Sequence, residues 1–269
     1  MNRIDKAKKV VRAFLLIILS LLVIFPIFYL FSSSLFSTRD FSNLRIIPEK
    51  ANWSNYAKAL SQKRFPTYII NSTLTSISEA FLRTIIVLFA SFSFTHLNFK
   101  GKKAVFSLII LSLFIPSDAI LYQNYRTVLK LGLTDSKIGI ILPFLFSSSQ
   151  MLLLMSFLKT LDSDYYGASQ IDGAGDLQYI FHILAPLSQS VIITIFIQTL
   201  ITSFNRYLWP LLVTNRAEKR TIQIALTMLG FTESGEMGAE MATIVIVTLP
   251  FLILLIFTKK RIESVLIKK

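Results

Sequence analysis

The sequence predicts an all-α membrane protein: six transmembrane helices, with a short cytoplasmic helix between spans four and five. Three observations lead there. The 269 residues are 53% hydrophobic and only 16% charged, a pairing soluble domains seldom show. Six apolar stretches approach the ~20 residues needed to cross a hydrocarbon core; their runs are continuous rather than alternating, which selects helices over barrel strands. The densest basic clusters gather at the ends of these stretches.

The spans are expected at roughly 13–33, 68–95, 104–123, 138–158, 187–213 and 242–258. The basic start and first apolar run imitate a signal peptide. However, the run from Phe14 to Phe31 is long and no small-x-small cleavage site ends it, so it is expected to stay as an anchor. Arg3, Lys6, Lys8, Lys9 and Arg12 precede span one, Lys100, Lys102 and Lys103 crowd the turn after span two, and Lys259, Lys260 and Arg261 follow span six. Six crossings put all three clusters on one side, expected to be cytoplasmic together with both termini. Opposite-side basic residues are spread over longer loops and mixed with acids. The whole chain, 1–269, reads as one transmembrane domain without a convincing internal repeat.

A net charge of +13 would suggest nucleic acid in a soluble protein. Here the lysines and arginines flank spans, so the expected partner is membrane lipid and not nucleic acid. There is no cysteine, hence no disulfide framework, zinc site or thiol nucleophile. His96 and His182 stand far apart and no H-E-x-x-H or G-x-S-x-G occurs, so metal or serine catalysis has no support and no metal ligands are expected.

The loop at about 159–184 breaks the basic pattern: Lys159 is its only lysine or arginine, against Asp162, Asp164, Asp172 and Asp176. A cytoplasmic loop of that charge is shaped by a partner rather than by the membrane. Asp162 or Ser163 can cap a short helix there. Ala168, Ile171 and Ala174 share a face at helical spacing, and Gly173 and Gly175 can break it. The expected product is a compact knob that fits a cleft in another protein.

Several polar residues interrupt the spans. Glu79 and Arg83, four apart, can pair on one helix face, either within the bundle or along a pathway. Ser147, Ser148, Ser149 and Gln150 interrupt span four, where they either pack helices or offer neutral hydrogen bonds to a sugar. Asn205, Arg206 and Trp209 end span five; Trp209 is read as an interfacial anchor, and Arg206 as snorkelling to headgroups or meeting an anionic ligand. Asp118, after Pro116, caps a broken helix or binds a hydroxyl. Asp118, Ser147, Ser148, Ser149, Gln150, Asn205 and Arg206 are the candidate pathway residues. Pro26, Pro116, Pro143, Pro210 and Pro250 lie in or at the ends of five spans, where they either break helices that rock or are simply tolerated.

Gly167-Ala168-Ser169, Gly173 and Ile183-Leu184-Ala185-Pro186 resemble, in spacing, the E-A-A-x3-G-x9-I-x-L-P loop of binding-protein-dependent ABC importer permeases. Ala168 with Ile171-Asp172-Gly173-Ala174 resembles the carbohydrate-type permeases related to the second membrane subunit of maltose importers. The similarity extends to "NWSNYAKAL", "YIINSTLTS", "IPSDAILYQNYRTVLKLGLTDSKIGIILP", "SFNRYLWPLLVT" and "RTIQIALTML". Gly167 replaces the family's glutamate, Ala185 its leucine, and Phe204-Asn205-Arg206 its usual Trp-Asn-Asp. The resemblance implies that Gly167, Ala168, Ser169, Ile171, Asp172, Gly173, Ala174 and Pro186 form a coupling helix against an ATPase. It also implies a homologous second permease, dimeric ATP-binding subunits and an extracytoplasmic solute-binding protein. The chain lacks G-x-x-x-x-G-K-[ST], so ATP and Mg are expected on the partner ATPase, with no cofactor bound here. The implied role is uptake of a sugar or oligosaccharide. Arg206 leaves open an anionic polyol, such as a glycerol phosphate ester or an acidic sugar. A stand-alone secondary transporter would call for an inverted repeat or midplane coupling charges.

Overall fold

The computed structural model describes residues 3–162, 164–229 and 236–267; side chains are described for these except at 3–8, 10, 117, 118, 229 and 254–267. Among the described residues the chain is helical and has no strand. By contact it divides into two compact units, one of residues 1–66 and 225–252, the other of 67–224 and 253–269.

The first unit contains α1 (Arg3–Ser33), α2 (Thr38–Ser42), α3 (Ser54–Ser61) and the early part of a long helix. Residues Val11–Ser33 of α1 are apolar and long enough to cross a membrane. Its large apolar side chains, such as Leu22 and Val23, stay exposed; an all-round apolar helix of this kind is suited to a lipid environment. The short helices are fixed by polar bonds. Ser37 and Asp40 form a capping box at α2. Asn55 of α3 donates through Nδ2 to the carbonyls of Ser34 and Phe36, both at 2.9 Å. A side chain at Gly238 would collide with that amide and with the Phe36 carbonyl, so glycine permits the close approach of backbone there.

The second unit is organised around α4 (Phe65–His96), a membrane-length helix. Then come α5 (Lys102–Ser112), α6 (Leu121–Lys130), α7 (Lys137–Ile141), α8 (Ser148–Leu158), α9 (Asp164–Ile171), α10 (Asp176–Tyr179), α11 (Ala185–Leu187), α12 (Gln189–Phe204) and α13 (Leu208–Val213). The chain continues through α14 (Ile222–Leu229) and α15 (Met237–Ile267), each shared by both units. One core joins Val87, Leu88 and Phe92 of α4 to Met151, Leu154 and Leu158 of α8 and to Tyr179, Leu184 and Ile195. A second gathers Val128, Ile140, Ile141, Trp209 and Val213.

Among the described residues, two helices are long and apolar enough to span a membrane, or up to four if each bent pair counts as one crossing. Continuous helices expected at 104–123, 138–158 and 187–213 are instead broken. The first stops at Ser112, and Pro116 precedes a tight turn over Ser117–Ile120; proline supplies no N–H and disfavours helix in the residue before it. The second bends by 52° between Lys137–Phe144 and Ser148–Leu158, with Pro143 in the tight turn Leu142–Phe144 that ends the first arm. The third stops at Phe204 and resumes as α13 at Leu208; at its start the chain bends by 84° between Asp176–Leu187 and Gln189–Phe204. Within that first arm, Ile180–Leu184 form a π-turn. The residues expected at 242–258 lie inside α15, which holds Pro250.

Candidate functional site

Glu79 is fully buried on α4, and its carboxylate receives four hydrogen bonds. Arg83, one turn along the same face, donates through Nη2 to Oε1 at 2.7 Å. Arg206, just past the end of α12, donates from Nη1 to Oε2 at 2.7 Å and from Nη2 to Oε1 at 3.0 Å. Ser203 adds its hydroxyl to Oε2 at 2.7 Å. Ser203 and Arg206 are three apart, so the end of α12 presents both to one acceptor. Phe144, in the turn before α8, then binds both arginines: its carbonyl accepts from Arg83 Nε, and its ring lies 3.5 Å beneath the Arg206 guanidinium, a cation–π contact. One carboxylate faces two guanidinium groups, so the cluster carries a net charge of +1. Burial makes that excess count for more than it would in water.

A cavity of about 760 Å³ opens beside this cluster, and Arg206 and Phe144 form part of its wall. Ser147, Ser148, Ser149 and Asn124 contribute polar groups to the lining, and Pro116 and Pro143, the breakers of two helices, contribute apolar ones. Ser147 caps α8 by accepting from the Gln150 N–H. The Ser148 hydroxyl meets that of Ser112 on α5 at 2.7 Å. The broken helices thus leave room and hydroxyls where a straight helix would have filled the space.

Not every expected pathway residue joins this wall. Gln150 is buried and turned to α12, where its Nε2 donates to Gln198 and Thr199. Asn205 accepts from Gln223 at 3.2 Å on an exposed surface. The side chain of Asp118 lies outside the described residues, although its neighbours Pro116 and Ile120 line the cavity. Arg206 does not snorkel: it folds inward because Glu79 offers a buried carboxylate in bidentate geometry. Trp209 is no interfacial anchor either. It is 1% exposed, and its Nε1 donates to the carbonyls of Gly139 and Ile140. Sequence reasoning missed Ser203, Phe144 and Asn124; nothing local pairs Glu79 with residues more than 120 positions away.

At the acidic loop, Asp162 Oδ1 accepts from the Asp164 N–H at 3.0 Å, where a cap was expected. Ser163 lies outside the described residues. Gly167, Ala168, Ile171, Asp172 and Gly173 are exposed, and Ile171 is 89% so. Ser169 turns inward and donates to the Tyr166 carbonyl at 2.8 Å. Helix α9 ends on Gly173, whose φ is +81°. The Ala174 N–H reaches the Ser169 carbonyl and the Gly173 N–H that of Gln170, which is the Schellman pattern. Tyr166 donates its hydroxyl to Asp176 at 2.8 Å, closing the loop on itself. Burial and that acceptor hold the Tyr166 phenol above its ordinary range. Tyr166 and Tyr179 then stack edge-on with each other and with His96, and both contact Phe92. The loop is therefore fastened to the last turns of α4, the helix that carries Glu79 and Arg83. Pro186 sits in α11, past the π-turn.

Residues 5–266 match the family described as binding-protein-dependent transport system inner membrane component. The chain is 30% identical over 230 residues to the sn-glycerol-3-phosphate transport system permease protein UgpE of Rhizobium meliloti (strain 1021), covering 82% of each. It is 25% identical over 256 residues to the protein of the same name from Yersinia pestis bv. Antiqua (strain Antiqua), covering 91% of each. Its fold matches a chain in the crystal structure of a bacterial ABC transporter involved in the import of the acidic polysaccharide alginate. That match has a TM-score of 0.88 at 24% identity and covers 97% of this chain and 98% of the other. The resemblance read from the loop motif is borne out: the chain belongs to the family of binding-protein-dependent transport system inner membrane components, as a multi-pass permease subunit of an ABC importer.

Proposed function

We propose that this chain forms half of the translocation pore of an ATP-driven importer for a hydroxyl-rich, sugar-like solute. In this reading it crosses the membrane six times, with both termini cytoplasmic, beside a homologous second permease. A pair of ATP-binding subunits docks on the cytoplasmic loop, and an extracytoplasmic binding protein delivers the solute. ATP and Mg belong to the ATPase. The observation that carries the reading is the double attachment of α4: its end holds the exposed α9 loop through Phe92 and His96, while Glu79 and Arg83 hold one wall of the cavity. Closure of the ATPase pair would push α9, α4 would carry the displacement as a stiff rod, and the walls bearing Arg206 and Phe144 would shift. The broken helices provide joints for such rocking.

A second reading concerns the solute. The unmatched positive charge at the cavity wall favours an anionic one, such as a polyol phosphate or an acidic sugar. The names of the relatives, sn-glycerol-3-phosphate permeases, agree with that. Reconstitution of the chain with its sister permease, ATPase and binding protein tests both. Uptake should require ATP, and glycerol 3-phosphate should compete with the transported solute better than glycerol does. Uptake by the chain alone without nucleotide would overturn the first reading, and equal competition would overturn the second.

A further inference from the structure

A second pocket, of about 370 Å³, lies where α4 ends and α5 begins. Lys102 and Lys103 of α5 and Lys159, just after α8, line it together with Phe94, Phe106 and Met155. No acidic side chain lines it among the described residues. Lys102 is committed in part, because its Nζ donates to the Leu97 carbonyl at 2.7 Å. Lys103 and Lys159 are exposed and make no ion pair among the described residues.

Snorkelling accounts for a single lysine near a helix end. It does not account for three lysines lining one pocket without a carboxylate, since like charges repel. An anion among them removes that conflict. Phe94, Phe106 and Met155 further require that the anion carry an apolar part, which a free phosphate lacks. The pocket lies at the end of a membrane-length helix, and the end of a spanning helix is where basic side chains meet lipid headgroups.

We infer that this pocket binds the headgroup of an anionic phospholipid, with the phosphate among Lys102, Lys103 and Lys159 and the first methylenes against Phe94, Phe106 and Met155. Such a lipid ties the end of α8 to the α4–α5 turn, at the point where the chain enters the α9 loop. The inference needs only that the chain resides in a membrane, so it stands apart from the solute and the direction of transport.

The full chain, purified in mild detergent and mixed with phosphatidylglycerol or phosphatidylcholine, is suited to native mass spectrometry. Phosphatidylglycerol should be retained in preference. K103Q/K159Q should weaken its retention by about 25-fold, some fivefold for each lysine. K100Q, in the same turn but outside the lining, should leave it unchanged. If the double variant does not fold, K159Q alone carries the test, with a loss of about fivefold. Equal loss in K100Q would reduce the site to general surface attraction and overturn the inference. Equal retention of the two lipids, or displacement of phosphatidylglycerol by millimolar inorganic phosphate, would overturn it as well.

Discussion

Replacing Glu79 by Gln keeps the shape of the buried cluster and removes its only negative charge. Four donors now meet in one carboxylate. The amide offers a single oxygen and turns its NH2 toward at least one arginine donor. Two guanidinium groups then face each other without compensation, so the local charge rises from +1 to +2. Removing one partner of a buried pair typically costs about 3–5 kcal/mol. At roughly 2–4 °C per kcal/mol for a chain of this size, thermal unfolding in detergent should fall by about 6–20 °C. R206Q should be milder, because Arg83 still neutralises Glu79 and the local charge falls to zero. The double variant E79Q/R206Q should be more stable than the sum of the two singles predicts, by about 1 kcal/mol or more, since it returns the charge to +1. Additive losses, or a drop under about 2 °C for E79Q, would refute the claim that charge balance holds these segments together.

Other outcomes follow from the same geometry. G173V should abolish ATP-driven uptake while the protein is still made and inserted: β-branched residues resist a φ of +81°, at a cost of about 1–2 kcal/mol, and the exposed loop surface changes shape. R206Q should lower uptake of an anionic solute more than that of a neutral one, measured as the ratio of initial rates. W209F should lose about 1–3 kcal/mol, because the Gly139 and Ile140 carbonyls lose their shared donor, readable as a lower unfolding temperature. Asp135 accepts from the backbone N–H groups of Arg216 and Asn215, which hold its carboxyl below the usual 3.8. A depressed carboxylate stabilises the fold above its unfolded value, and that contribution is lost as pH falls through the folded one. The stability gap between the wild type and D135A should therefore be constant from neutral pH down to about 4 and shrink below it.

The sequence by itself determined whatever depends on neighbours along the chain. The apolar runs set helices at α1 and α4, the prolines at 116 and 143 set two of the breaks, and Gly173 set the end of α9. Glu79 and Arg83 were legible as a pair because a helix brings positions four apart to one face. The tertiary structure alone decided where the charges and aromatic groups finish. Arg206 turns inward, Trp209 enters the core, Gln150 faces α12 and Phe144 bridges two arginines. Each of these depends on a partner tens of residues or more away. A buried carboxylate or a free carbonyl changes the best position of a long side chain by several kcal/mol, and no local pattern reveals where that partner will be.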